Sequence, residues 1–362
     1  MKVLVIGSGA SWSTADVEAG LLYGLRAQSV EVIHYALAGR INGAQRWLFN
    51  AWRLKKKSVP ETPKPTPGDV FYQASMGALE RALRHQVDAV LVVSGMYVHP
   101  DVLVLMRRAG LVVTVLFTES PYDLEPELRM AGIAHGVWTN ERTVVDRFRS
   151  VCPRAAYLPH AWHPQRHLAG PQPGDEAVPA HDVVFVGSAF RERVEWFRSI
   201  DWTGIDLGLY GNWESLGSRD RLRQYVRGAE TDNATAAALY RRAKVGLNLY
   251  RSSKGFGRTA PRIAIGQAES LSPRAYELAA CGVFHVSEYR AEVPEVFGAL
   301  VPTFRSPTEA AAVIRSWLVD APGRARVSAA LPATVAASSW VARAAQVKTD
   351  LESLVAMRQR VA

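Results

Sequence analysis

The stretch Ser272-Pro273-Arg274-Ala275-Tyr276-Glu277-Leu278-Ala279-Ala280-Cys281-Gly282-Val283-Phe284-His285-Val286 decides how the rest of the chain is read. A Ser suited to the N-cap, a Pro at the first helical position, a Gly stop and then an apolar run spell helix, turn, strand. The amino end of such a helix offers unpaired N–H groups and the positive end of the helix dipole, which favours an anion. Arg274 adds a guanidinium able to grip a phosphate through paired donors. Glu277, about one turn further on, is placed to accept hydrogen bonds from ribose hydroxyls. An anion holder and a sugar holder on one helix point to a nucleoside diphosphate. On the same spacing, an ordinary amphipathic helix with Arg274 and Glu277 paired at i, i+3 is the competing reading.

Outward from this stretch, the composition is that of a globular chain: 362 residues, 48% hydrophobic and 21% charged, enough for two domains. No apolar run reaches the roughly 18 to 20 residues of a membrane span. The opening Met1-Lys2-Val3-Leu4-Val5-Ile6-Gly7 reads as a first buried strand rather than a signal peptide, so a cytoplasmic chain without a transmembrane segment is expected. Two isolated cysteines, Cys152 and Cys281, give no disulfide framework or zinc pattern. A net charge of +9 suits an anionic partner, whether nucleotide, nucleic acid or membrane surface, and suits a solvated basic surface equally.

Two rounds of strand and helix alternation follow, the pattern of doubly wound parallel sheets. In the first round, Gly7-Ser8-Gly9-Ala10-Ser11-Trp12 follows a strand but lacks the third Gly of a dinucleotide fingerprint. The second strand ends Ile33-His34-Tyr35, without the acid that would hold an adenosine ribose, so an oxidoreductase is the weaker alternative. Gly9, Ser11 and Trp12 are placed on the acceptor side. The loops Ser94 to His99 and Thr118 to Tyr122 follow later strands and supply His99 and Glu119 as candidate catalytic groups. Arg40 to Lys57 interleaves Trp47, Leu48, Phe49 and Trp52 with Arg46, Arg53 and Lys55-Lys56-Lys57. It reads as a basic aromatic loop bordering the acceptor side and open to DNA, lipid or an acidic acceptor, or as a solvated helix.

The second round opens Val184-Phe185-Val186-Gly187-Ser188, a strand and Gly turn whose backbone can approach a phosphate. Trp213, beside Gly211, is a candidate to stack on a base or to serve as core. Arg251, Lys254, Arg258 and Arg262 precede the Ser272 helix in a Gly-rich loop, four cations suited to a departing diphosphate. His160, His163 and His167 lack carboxylate or Cys partners at ligand spacing, so no metal is expected.

The string Arg274-x-Tyr276-Glu277-x-x-Ala280-Cys281-Gly282 resembles the donor-site signature of the CgeB-like, spore-maturation-protein-like glycosyltransferases, relatives of retaining enzymes of the GT-B fold. The likeness is densest from Asp182 to Leu318 and looser at Thr118 to Tyr122 and Leu158 to Ala161. It implies two Rossmann-like α/β domains facing a cleft, over 1–165 and 181–335, joined by a Pro- and Gly-rich linker at 166–180. It also implies a C-terminal helix over 336–362 that crosses back to the first domain. A sugar would pass from a nucleotide-diphosphate donor to an acceptor hydroxyl of a protein, glycan or modified DNA base, with retention and without metal or other cofactor. The resemblance assigns the donor to Gly187, Ser188, Ser272, Arg274, Tyr276 and Glu277, with Trp213, Arg251, Lys254 and Arg262 beside them; Arg251 joins Glu119 and His99 as a catalytic candidate. Retaining relatives carry a second Glu before the ribose binder, whereas Glu269 here lies eight residues earlier, across Pro273. A non-catalytic nucleotide-binding module of the same fold is the main alternative.

Overall fold

The computed structural model describes residues 1–9, 13–228, 231–252 and 267–360. The chain divides into two compact units, Met1–Pro159 with Trp340–Ala362, and His160–Ser339.

In the first unit the order is β1 (Lys2–Ile6), α1 (Ser13–Ala27), β2 (Glu31–Tyr35), α2 (Leu37–Ser58), α3 (Pro67–His85), β3 (Ala89–Val93), α4 (Pro100–Arg108), β4 (Val112–Phe117), α5 (Leu124–Ala131), β5 (Gly136–Thr139), α6 (Val145–Val151) and β6 (Ala155–Tyr157). The strands form one sheet, β2-β1-β3-β4-β5-β6, in which every neighbouring pair is parallel. Its central strands are near-continuous apolar runs, AVLVV in β3 and VVTVLF in β4, buried at every position because helices cover both faces. Thr66 and Asp69 close a capping box at the start of α3, with a Pro in its first turn.

The second unit runs β7 (His181–Val186), α7 (Arg191–Arg198), β8 (Leu207–Tyr210), β9 (Val226–Gly228), α8 (Asn233–Arg242), β10 (Ala243–Asn248), α9 (Pro273–Ala280), β11 (His285–Glu288), α10 (Glu292–Phe297), β12 (Thr303–Phe304), α11 (Pro307–Val319) and α12 (Ala321–Thr334). Its parallel sheet has the order β12-β11-β10-β7-β8-β9. The strand order reverses between β7 and β10, and the chain leaves these neighbours toward opposite edges. A crevice outside their carboxyl ends follows from that topology.

Arg40 to Lys57 takes the helical of its two sequence readings and lies inside the 22-residue helix α2, since no Pro intervenes before Pro60 and Ala, Leu, Arg and Lys sustain the helix. Two segments depart from expectation. The segment 166–180, read as a linker, is tied into the second unit: Arg241 holds Asp175 through Nε at 2.7 Å and Nη2 at 2.6 Å. The C-terminal helix expected over 336–362 starts later, at Trp340. Residues 335–339 instead engage Trp162, whose indole donates to the Val335 carbonyl at 2.7 Å and whose backbone bridges to Ser339.

The chain then forms α13 (Trp340–Gln359), which packs on α1 in the first unit. Gly20 and Gly24 make that approach possible. A Cβ on Gly20 would stand 2.1 Å from the Trp340 ring, and one on Gly24 would stand 2.3 Å from the Trp340 carbonyl oxygen. Trp138 and Lys348 fasten the helix further, through Asp350 at 2.8 Å and the Gln28 carbonyl at 3.1 Å. Among the described residues, no helix is long and apolar enough to cross a membrane.

Candidate donor site

At the carboxyl ends of β7 and β10 the second unit gathers Gly187, Ser188, Leu249, Ser272 and Arg274. The Arg274 side chain crosses from α9 to both strands. Its Nε donates to the Val186 carbonyl at 2.8 Å and its Nη1 to the Leu249 carbonyl at 3.2 Å, while the guanidinium lies 4.5 Å from the Phe185 ring centroid. A Cβ at Gly187 would come within 2.6 Å of Arg274 Nη2, so a side chain there would displace the guanidinium. Arg193 of α7 repeats the arrangement, donating to the Ser188 and Leu249 carbonyls, both at 3.1 Å, and lying over Phe185 and Phe190. Arg251 lies 5.5 Å from the Phe190 ring. Three guanidinium groups thus meet at the one place the topology leaves open, and their charge favours an anion there.

Asn248 joins these parts. Fully buried at the end of β10, it accepts from the Ser272 hydroxyl at 2.9 Å and Arg274 Nη1 at 3.4 Å, and donates to Ser287 Oγ at 3.0 Å. Ser272 occupies the N-cap position with extended backbone, as its sequence suggests, yet makes no side-chain cap. Its hydroxyl turns to Asn248, which leaves the amino end of α9 without the usual side-chain acceptor. The loop after β10 is held by carboxylates: Glu288 accepts from Tyr250 N at 3.0 Å and Glu192 from Ser252 N at 2.7 Å. Burial pushes the Glu288 carboxyl up against the opposing pull of its backbone hydrogen bond.

Several sequence candidates take other places. Trp213 is a core residue, 2% exposed, edge-on to Phe185 and Phe197 at 6.2 and 5.5 Å, so its ring faces other rings rather than a base. Tyr276, 1% exposed, belongs to the same core. Arg274 spends Nε and Nη1 on strand carbonyls and Asn248, and so acts first as a clasp between strands. Glu277 is buried beside Tyr240, and one of its carboxylate oxygens lies within 4.8 Å of a His167 ring nitrogen. Lys254, Arg258 and Arg262 lie outside the described residues, as do Ser11 and Trp12.

In the first unit, Gly9 (φ 74°), Tyr97 and Glu119 follow one another along the carboxyl edge of the sheet. A Cβ on Gly9 would stand 3.0 Å from the Tyr97 ring, and burial, then the Glu119 charge, raises the Tyr97 phenol. His99 instead serves α4 and α3. Its Nδ1 accepts from Asp101 N at 3.3 Å and its ring meets Tyr72 edge-on at 5.2 Å. The turn at Ser8 holds an internal anion: Glu18 accepts from Ser8 N at 2.7 Å and pairs with His34 Nε2 at 2.7 Å. Burial would raise Glu18, but the His34 and Ser8 hydrogen bonds outweigh it and hold the carboxyl below its usual range. A carboxylate on that amide opposes a dinucleotide pyrophosphate at the same turn.

Arg193, Asn248 and Glu127 were not assigned from sequence. An Asn closing the apolar run Val245-Gly246-Leu247 was the available signal for Asn248. Glu127 lies on α5, a helix the sequence reading passed over; it accepts from Ser120 Oγ at 2.5 Å and Glu119 N at 3.2 Å, and burial drives its carboxyl up to about 8 despite the Ser120 bond.

These groups set a pH profile with two limbs. Burial first, then neighbouring positive charge, lowers His167 from 6.5 to about 3, and burial lowers His285 to about 4. Both stay neutral in the fold while the unfolded chain takes up protons below about 6.5, so stability is lost as pH falls from there toward 4. Glu127 is protonated in the fold up to about pH 8 and ionises above about 4.5 when unfolded, so its contribution is lost as pH rises across that interval. Urea midpoints between pH 4 and 9 should show both limbs, and Glu127→Gln should flatten only the alkaline one.

Residues 191–349 match the family model described as Glycosyl transferase-like. No curated protein sequence matches the chain. The fold is similar over 99% of this chain to 100% of a sucrose-phosphate synthase from Thermosynechococcus elongatus, with TM-score 0.65 and 14% identity. It is similar over 97% of this chain to 99% of an E. coli trehalose-6-phosphate structure bound with UDP-2-fluoro glucose, with TM-score 0.60 and 10% identity. A trehalose-6-phosphate synthase studied for glycosyltransfer with retention matches over 98% of this chain and 99% of its own, with TM-score 0.57 and 11% identity. The architecture is GT-B, and with the matched domain it defines the class: a glycosyltransferase.

Proposed function

We propose that the crevice of the second unit binds the nucleoside diphosphate of a sugar donor, and that the sugar passes with retention to an acceptor hydroxyl. The observation that carries this is the meeting of Arg193, Arg251 and Arg274 with the Gly187-Ser188 turn and the α9 amino end, whose N-cap hydroxyl is engaged elsewhere. These cations stabilise charge that grows on the leaving diphosphate. That role requires no divalent metal, and the donor phosphate then assists removal of the acceptor proton on the face it leaves. Glu277 is the ribose acceptor in this reading, Arg251 the catalytic cation at the leaving group and Glu119 the acceptor-side carboxylate. The E. coli structure holding UDP-2-fluoro glucose supports a nucleotide-sugar donor, and the signature from Arg274 to Gly282 supports the CgeB-like branch. The acceptor is a protein, a glycan or a modified DNA base.

The test is release of nucleoside diphosphate from UDP-, GDP- and dTDP-sugars in the presence of a chelator and without acceptor. One donor is expected to leak slowly to water, at a rate lowered at least tenfold by Arg251→Ala. Tight binding without any release would favour the non-catalytic module.

A further inference from the structure

Helix α2 carries six basic residues and no acidic one, a local charge of +6 in a chain whose net charge is +9. Its aromatic residues divide by face. Phe49 and Trp52 pack edge-on at 6.2 Å and hold the segment that follows, Trp52 donating to the Thr62 carbonyl at 3.0 Å while Lys64 lies over Phe49. Trp47 and Leu54 do the opposite. They stand two turns apart on one outward stripe, 59% and 67% exposed, beside the stripe of Arg46, Arg53 and Lys57. Gly39 and Gly43 open the same side, and a Cβ on either would meet nothing within 4 Å. Glycine weakens a helix interior by about 1 kcal/mol, and no neighbour here explains it. A helix with small residues on an uncovered side can lie close against an external surface.

We infer that α2 docks this protein on a membrane surface rich in anionic lipid. Cations flanking an apolar ridge are the pattern of an interfacial helix: basic heads meet lipid phosphates while Trp and Leu enter the headgroup boundary. A nucleic acid would satisfy the cations and stack on Trp47, but it has no apolar phase for Leu54. A second copy of the same face is repelled by its charge. The inference is independent of the donor site, so a sedimentation readout separates its failure from that of the proposed function.

The chain is sedimented with vesicles of phosphatidylcholine alone or of phosphatidylcholine mixed with anionic phosphatidylglycerol, at low and high salt. Binding is expected only to the anionic vesicles, falling with salt. Lys55, Lys56 and Lys57 each changed to Gln should together weaken it on the order of 100-fold, since each cation near an anionic leaflet counts roughly fivefold. Trp47→Ser with Leu54→Ser should weaken it about tenfold or more at fixed charge. Both variants alter exposed side chains, and unchanged thermal unfolding would verify their fold. Failure of the wild-type chain to bind anionic vesicles at low salt overturns the inference. So does duplex or single-stranded DNA binding that needs the lysines while vesicle binding ignores Trp47 and Leu54.

Discussion

Arg274→Ala is expected to destabilise the second unit by about 1–3 kcal/mol and to abolish nucleotide binding with it. The guanidinium satisfies the carbonyls of Val186 and Leu249, which end two adjacent strands, and covers the Phe185 ring. Removing one partner of a hydrogen bond costs roughly 1–3 kcal/mol for the group left behind; here the Val186 carbonyl loses a donor, while the Leu249 carbonyl and Asn248 keep Arg193 and Ser272. Arg274→Lys separates charge from geometry. An ammonium restores the positive charge but cannot span three acceptors with a planar fork, so it should recover little of the stability. Urea unfolding followed beside nucleotide titration distinguishes the clasp from a simple phosphate ligand. A variant with unchanged unfolding midpoint and lost affinity would mean that the fork serves phosphate alone.

Trp213→Ala should remove about 3–5 kcal/mol, the range of a large aromatic cut from a packed core. The side chain is 2% exposed, packs against Phe185 and Phe197, and donates to the Tyr210 carbonyl at 3.3 Å. Trp213→Phe should recover much of this, because volume matters more than the indole N–H. Nucleotide affinity of the phenylalanine variant should match the wild-type value when measured well below its unfolding transition. A stable alanine variant that loses base selectivity would return Trp213 to a stacking role.

The parallel sheets were legible because their strands are buried on both faces and so read as near-continuous apolar runs: Ala89–Val93 and Val112–Phe117 take the bounds the sequence implies. Helix α9 was legible for a local reason as well, since Pro273 and Gly282 punctuate it. What escaped was decided by contacts distant in sequence. Nothing near Trp213 tells a core ring from a stacking one, because Phe185 and Phe197 arrive from another strand and helix. Ser272 has the right identity for a cap, but Asn248, 24 residues earlier, claims its hydroxyl. The same holds for Arg274, whose acceptors lie on β7 and just after β10. Helix α2 was legible as one of two readings, because its dense aromatic and basic residues also resemble a binding loop until the absence of Pro before Pro60 is given its weight.

Calorimetric titration of UDP, GDP and dTDP into the wild-type chain and into Glu277→Gln decides whether Glu277 holds a nucleotide. One nucleotide is expected to bind the wild-type protein without added metal and the variant at least tenfold more weakly, while the variant keeps its unfolding midpoint near neutral pH. Equal affinity for both proteins, or no heat with any of the three nucleotides, would contradict that role.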